Sequence, residues 1–307
     1  MILKLCILRS GSHANCTAIW AGNEALLIDC AKFESEPDED RYEVTDELHS
    51  IDVNPSMIKG LLVSHAHGDH IDDNALHFAM RHGIFIYSHP DTFSRIKKKF
   101  PRIDHDESMY KDISKGKVKI GCFKVESFKT DHWADKKFIA GQSIGFVITF
   151  TDKKNYHKIG YVTDTKAITT KMHSLLKDCQ TLIIESNFSE DYIKTIDPHP
   201  GYEEHLGNQA TGKAIAKIHA KSKDKDALKN VILAHISDSN NTVKRALKEV
   251  RKVLESNDLD IELHPTYRHK RTEIHELKQF ALNDKVIKTV EDKEMKSPLI
   301  RNRDRVY

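Results

Sequence analysis

The sequence predicts one α/β domain of two β-sheets with helices packed on them, and three observations predict it. Short apolar or alternating runs bounded by turn residues recur through both halves of the chain, as strands do. Helical stripes are interspersed among them and concentrate in the later part. No fixed-period repeat and no low-complexity linker divides the 307 residues, a length that can bury a full core. Strands and helices mixed in this way pack as layers rather than as two separable domains.

Taken in order, strands are expected over residues 2–8, 17–20 and 25–28, joined by the turns "RSGSHANC" and "AGNE". After an acidic run at 34–47 comes a strand at 60–64. It leads into "DDNALHFAMRH", where Ala75, Leu76, Ala79 and Met80 sit at helical spacing behind an Asp/Asn start signal. A strand at 84–88 precedes a helix over about 91–99. Further strands are expected at 118–120, 123–128, 143–150, 158–162 and 181–187. A helix beginning near Asn208 carries Leu206, Ala210, Ala214 and Ile218 every fourth residue, and "NVILAH" (230–235) is a strand buried by composition. Val243, Ala246, Leu247, Val250, Val253 and Leu254 then form one stripe, with Asn240 and Asn241 expected to cap it. The segment after Thr266 is charged and weakly periodic. The main domain is therefore expected over 1–265, and a charged C-terminal extension of unread role over 266–307.

Composition narrows the class. With 39% apolar and 31% charged residues the chain reads as an ordinary soluble protein, and its apolar runs are too short to span a bilayer. The opening "MILKLCILRSGS" is too short for a signal peptide and carries Lys4 and Arg9 inside its apolar run. Five cysteines, an odd number without CxxC spacing, argue against a disulfide framework and a cysteine-based zinc site, so a reduced, cytoplasmic setting is expected. A net charge of +2 gives no global field toward nucleic acid. The basic stretches "RIKKKFPR" (95–102) and "KAIAKIHAKSKDK" (213–225) are either solvated faces or phosphate contacts. Nothing fixes an oligomeric state.

Chemistry concentrates in "LLVSHAHGDH" (61–70). If the chain stays extended after the strand, His65 and His67 point to one side. Gly68 permits a sharp turn that brings Asp69 and His70 to the same volume. Neutral imidazoles and a carboxylate are ligands that zinc, manganese and iron accept. A second half of the site should then lie where other apolar strands end in a ligand residue. "KIGYVTD" ends in Asp164 and "NVILAH" in His235, while His132 follows a strand that runs into a polar turn. Singly, Asp164 would read as a helix cap and His235 as a strand-end histidine. Together with the first motif they read as ligands.

These residues, in this order, resemble the metallo-β-lactamase-fold hydrolases. "SGSHANC" (10–16), "LIIESN" (182–187), "HLGN" (205–208) and "LAHISDSNN" (233–241) are similar to the YycJ/WalJ-like branch, over roughly residues 1–265. The resemblance implies an αββα sandwich of two mixed sheets and two divalent ions, zinc or manganese, with iron also accepted. His65, His67 and His132 would hold one ion and Asp69, His70 and His235 the other, with Asp164 bridging and Asp29 as a supporting aspartate. It implies a dinuclear phosphodiesterase or nuclease similar to 5′-to-3′ DNA exonucleases of repair, with DNA the favoured partner and Asp69 and His205 counted as catalytic. His205 is either the acid or phosphate donor or a local hydrogen-bonding residue. Ser12, Asn15, Asn187 and Asn208 are candidate substrate contacts: Ser12 and Asn15 read equally as turn residues, and Asn208 serves only if it caps a helix whose N-terminus binds an anion. Trp133 after His132, and Phe188–Ser189 after Asn187, depart from the branch pattern. The alternatives are an RNA-processing nuclease, a cyclic-nucleotide or other small phosphodiester hydrolase, a thioester or lactone hydrolase, and a metal-free binding protein.

Overall fold

The computed structural model describes residues 1–31, 44–132, 141–153 and 155–281. Part of the acidic run (34–43), Trp133 and residues 282–307 lie outside them. The chain begins with three antiparallel strands, β1 (Leu3–Arg9), β2 (Cys16–Ala21) and β3 (Glu24–Cys30). Helix α1 (Val44–His49) leads to β4 (Ile58–Leu62), which runs parallel to β3. There follow α2 (Asp73–Arg81), β5 (Ile86–Ser88), α3 (Pro90–Lys99) and β6 (Tyr110–Asp112), with β5 and β6 extending the parallel part.

The second half runs β7 (Lys117–Ile120), β8 (Phe123–Lys129), β9 (Ile144–Asp152) and β10 (Asn155–Val162), each antiparallel to the one before it. It then turns parallel through α4 (Thr170–Leu176), β11 (Thr181–Glu185), α5 (Asn208–Lys221), β12 (Asn230–Ala234), α6 (Val243–Glu255) and β13 (Glu262–Pro265). Beyond residue 265, β14 (His275–Leu277) pairs with β1 and β15 (Phe280–Ala281) with the start of β10. The two sheets are thus ordered β14-β1-β2-β3-β4-β5-β6 and β13-β12-β11-β10-β9-β8-β7, and both are mixed.

Strand alternation explains the layers. Leu3, Leu5, Ile7, Leu26 and Ile28 pack against Phe123, Phe146, Ile148 and Phe150 between the sheets. Their neighbours Cys6, Leu8, Ala25 and Leu27 face the other way, onto Leu48, Leu76, Ala79 and Ile96 of α1 to α3. Leu182, Ile184, Val231 and Leu233 similarly meet Leu176, Ile215, Ile218, Val250 and Leu254 of α4 to α6. Three apolar interfaces between four layers make the αββα sandwich that the sequence predicts. One cap differs: Thr242, not the tandem asparagines, caps α6 by accepting from Arg245 N. Asn241 instead donates to the carbonyls of Ser186 and Asn187.

His157 in β10 is buried and lies 2.7 Å from Lys278 O and 3.0 Å from the Thr181 hydroxyl. Burial pushes this imidazole down to about 4, so the folded state excludes a proton that the unfolded chain takes up near 6.5. Its contribution is therefore complete above the unfolded value and is lost as pH falls from 6.5 toward 4, on the order of 3 kcal/mol. Urea unfolding at neutral pH and at about pH 4.5 should show a smaller acid loss in His157→Leu than in the wild type.

Candidate metal centre

Every side chain of the site stands at one edge, where strands end. The His65–His70 loop follows β4, His132 follows β8, Asp164 follows β10, Glu185 closes β11 and His235 follows β12. Parallel strands deliver their carboxyl ends to one side, and β8 shares that direction because two antiparallel pairings separate it from β10. Asp164 and His235 turn out just past β10 and β12 with left-handed φ of 53° and 52°, and Asp29, with φ of 52°, forms a bulge one residue before the end of β3. Among non-glycine residues, Asp, Asn and His enter this region most readily.

The proposed ligands do converge. His65, His67 and His132 place one ring nitrogen each within 4.8 Å of one another, as do the donor atoms of Asp69, His70 and His235. Asp164 lies between these sets: Oδ2 is 3.3 Å from His70 Nε2, and Oδ1 is 3.6 Å from His235 Nε2 and 4.0 Å from His132 Nε2. Supporting groups fix the rings. Asp29 accepts from His70 Nδ1 at 2.9 Å and from Ser64 N and Oγ at 2.8 and 2.9 Å. Glu185 Oε1 is 2.7 Å from His205 Nδ1 and 3.1 Å from His235 Nδ1. His132 Nδ1 faces Glu204 O at 3.2 Å.

The two sets differ electrostatically. Burial keeps His65 and His67 neutral, His67 down to about 4, and the neighbouring imidazoles add to that effect. His70 and His235 are equally buried, but Asp69 and Asp164 raise them well above the ordinary histidine range. Burial works against ionised Asp69 and Asp164, yet the surrounding histidines hold both well below the usual carboxylate range. Carboxylates facing clustered imidazole nitrogens make a set that a cation would complete. Asp164 Oδ2 is buried without a hydrogen bond, with the His70 ring 3.3 Å away, a place where a cation can meet the carboxylate. The donor set therefore fits divalent metal binding.

The remaining expected residues fare differently. Asn15 is buried, its Nδ2 3.2 Å from Asp69 Oδ2 and 3.3 Å from His70 Nε2, so it braces the ligands. Asn187 braces His235 through the backbone, its Nδ2 donating to the His235 carbonyl at 3.0 Å. Ser12 is exposed on the first turn. Asn208 is a correction: Gly207 caps α5, and the Asn208 side chain is buried on Ser186, Asn241 and Glu249. The Glu190 carboxylate already accepts from Gln209 N and Ala210 N, so this helix end holds an internal anion. Phe188 packs on Tyr202, and Ser189 donates to Glu249, so this departure from the branch pattern serves loop structure. Sequence reasoning gave Glu185 no role, although "TLIIE" obeys the same strand-end rule that found Asp164 and His235.

This fold and donor set define a metallo-β-lactamase-fold hydrolase. The chain belongs to the β-lactamase superfamily: the family model described as a beta-lactamase superfamily domain matches residues 42–236. It is similar to exodeoxyribonuclease YycJ of Bacillus anthracis, with 24% identity over 280 residues, covering 87% of this chain and 96% of that protein. Its fold matches the metallo-beta-lactamase fold protein YhfI from Bacillus subtilis at a TM-score of 0.62 and 18% identity, over 89% and 99% of the two chains. Human tRNase Z, short form, matches at a TM-score of 0.56 and 15% identity, over 88% and 98%. No helix among the described residues is long and apolar enough to cross a membrane.

Proposed function

We propose that this chain is a dinuclear-metal phosphodiesterase that degrades nucleic acid, a 5′-to-3′ DNA exonuclease-like hydrolase. The observation that carries this reading is Asp164, whose two oxygens face both nitrogen-rich sets. His65, His67 and His132 would hold one ion, Asp69, His70 and His235 the second, and Asp164 would bridge them. Bound there, the ions would activate water at neutral pH and neutralise charge on the phosphoryl oxygens. The nucleic-acid substrate is supported by the exodeoxyribonuclease activity for which the YycJ relative is named, matched over nearly its full length.

The chain's own groups supply the rest. Asp29 and Glu185 hold His70 and His235 in fixed tautomers by accepting from Nδ1, which leaves Nε2 of each ring for the ion. Glu185 also accepts from His205 Nδ1, so His205 presents Nε2–H as the acid for the leaving oxygen. Burial disfavours a charged His205, but the Glu185 carboxylate overrides it and raises the ring above its ordinary value. That environment favours the protonated ring on which a general acid depends.

Metal analysis and an end-labelled substrate panel test the reading. Stepwise release of nucleotides from the 5′ end of DNA is expected, abolished by chelation and restored by zinc or manganese. Absence of bound metal, with no rescue by either ion, would sink the enzyme reading. Turnover of RNA or cyclic nucleotides without DNA cleavage would move the substrate to one of the alternatives.

A further inference from the structure

A cavity of about 400 Å³ lies beside the metal centre, lined by Ser10, Ser237, Thr242, Tyr267, Arg268 and Lys270 among others. That volume falls in the ordinary range of small-ligand sites, roughly 300–1,000 Å³. It is one hydrogen bond from the site, because its wall residue Ser10 accepts from His235 N through Oγ at 2.8 Å. Its walls come from the turn after β1 and the loop after β12, two of the stretches that carry the family resemblance. The third wall, residues 266–270, belongs to the segment whose role the sequence left unread.

This wall is held in place. Ser10 N donates to Tyr267 O at 3.1 Å, and Thr266 donates to Leu233 O through N at 3.1 Å and Oγ1 at 2.9 Å. Arg268 Nη1 pairs with Asp238 at 2.7 Å, and Lys270 Nζ sits 4.4 Å from the Tyr267 ring centroid. Arg268, His269 and Lys270 line the cavity together with Asp238 among the described residues, and the first turn of α6 adds the positive end of a 13-residue helix. An aromatic ring, two cations and two further hydroxyls, on Ser237 and Thr242, line this space together with Ile236, the residue after His235. Stacking on aromatic rings and phosphate contact by Lys and Arg are the two means by which single strands are held.

We propose that this cavity is the subsite for the nucleotide flanking the scissile phosphate, with Tyr267 stacking on its base and Lys270 and Arg268 meeting its phosphate. The assignment rests on the nuclease reading, and its test measures binding rather than cleavage. A fluorescein-labelled phosphorothioate tetranucleotide is titrated by anisotropy against metal-loaded wild type, Tyr267→Ala, Lys270→Ala and the remote control Lys119→Ala, which is exposed on β7 at the far end of the sheet. Each pocket substitution is expected to weaken binding about tenfold, with melting temperature and metal content unchanged. Lys270→Ala should also reduce the salt dependence by about one counterion. Equal affinity of the pocket variants and wild type, or no binding by wild type, overturns the proposal. Binding lost in the variants of a protein that cleaves no polymer would keep the pocket and defeat the nuclease reading. Polymer cleavage with unaltered binding in the variants would do the reverse.

Discussion

Alanine at Asp164 is expected to abolish hydrolysis, by about 10⁴-fold or more, and to remove bound metal as well as activity. The carboxylate faces His70, His132, His205 and His235 within 4.0 Å, so its loss leaves both donor sets without their shared anion. Four powers of ten correspond to about 5 kcal/mol of transition-state stabilisation, the scale expected of a group on which both proposed ions would depend. The measurement is metal content by elemental analysis together with kcat on DNA. Full activity with two equivalents of metal would refute the bridging role. Asp164→Asn refines the result, because the amide keeps the shape and the left-handed backbone while removing the charge. If charge is what matters, it should fail nearly as badly as alanine.

The second large effect belongs to His205. His205→Ala should lower kcat by about 10²–10⁴ while metal content stays intact, since general acids contribute on that scale. The direction with pH follows from its environment. Glu185 raises the ring above its ordinary value, so wild-type activity should fall as pH climbs through that raised value and the acid is lost. The alanine variant should lose this alkaline limb. Its defect should also shrink on a p-nitrophenyl phosphodiester, whose leaving group needs no proton. An equal defect on both substrates, with the limb retained, would assign His205 to positioning alone.

Much of this site was readable before any coordinates. Four candidate ligands lie within six residues after one strand, and a single rule about apolar strands with polar ends found Asp164 and His235. The rule was not applied to Glu185, because the expected strand ran on to 187, and a buried glutamate shows its use only when His205 and His235 are seen on either side of it. Asn208 misled because an asparagine at a helix start suggests a cap, whereas the partners that claim it, Ser186, Asn241 and Glu249, come from three distant segments. In the fold, α4 went unread because seven residues show too little periodicity. β14 went unread because its three residues become a strand by pairing with β1, more than 260 positions earlier in the chain. Local pattern carries strands and loops, while long-range pairing must be observed.

The left-handed turns at Asp29, Asp164 and His235 impose a double filter on what this protein can become. At each position a replacement must tolerate positive φ and also supply the right electron pair. Asparagine passes the first requirement and fails the second at Asp164; glutamate passes the second and strains the first. Few residues meet both, and that narrows the mutational routes by which the metal edge could be rewired. Glu185, closing its strand without a positive φ, carries no such backbone restriction. Drift in chemistry should therefore enter this site through Glu185 and the loops around it before it reaches the three kinked strand ends.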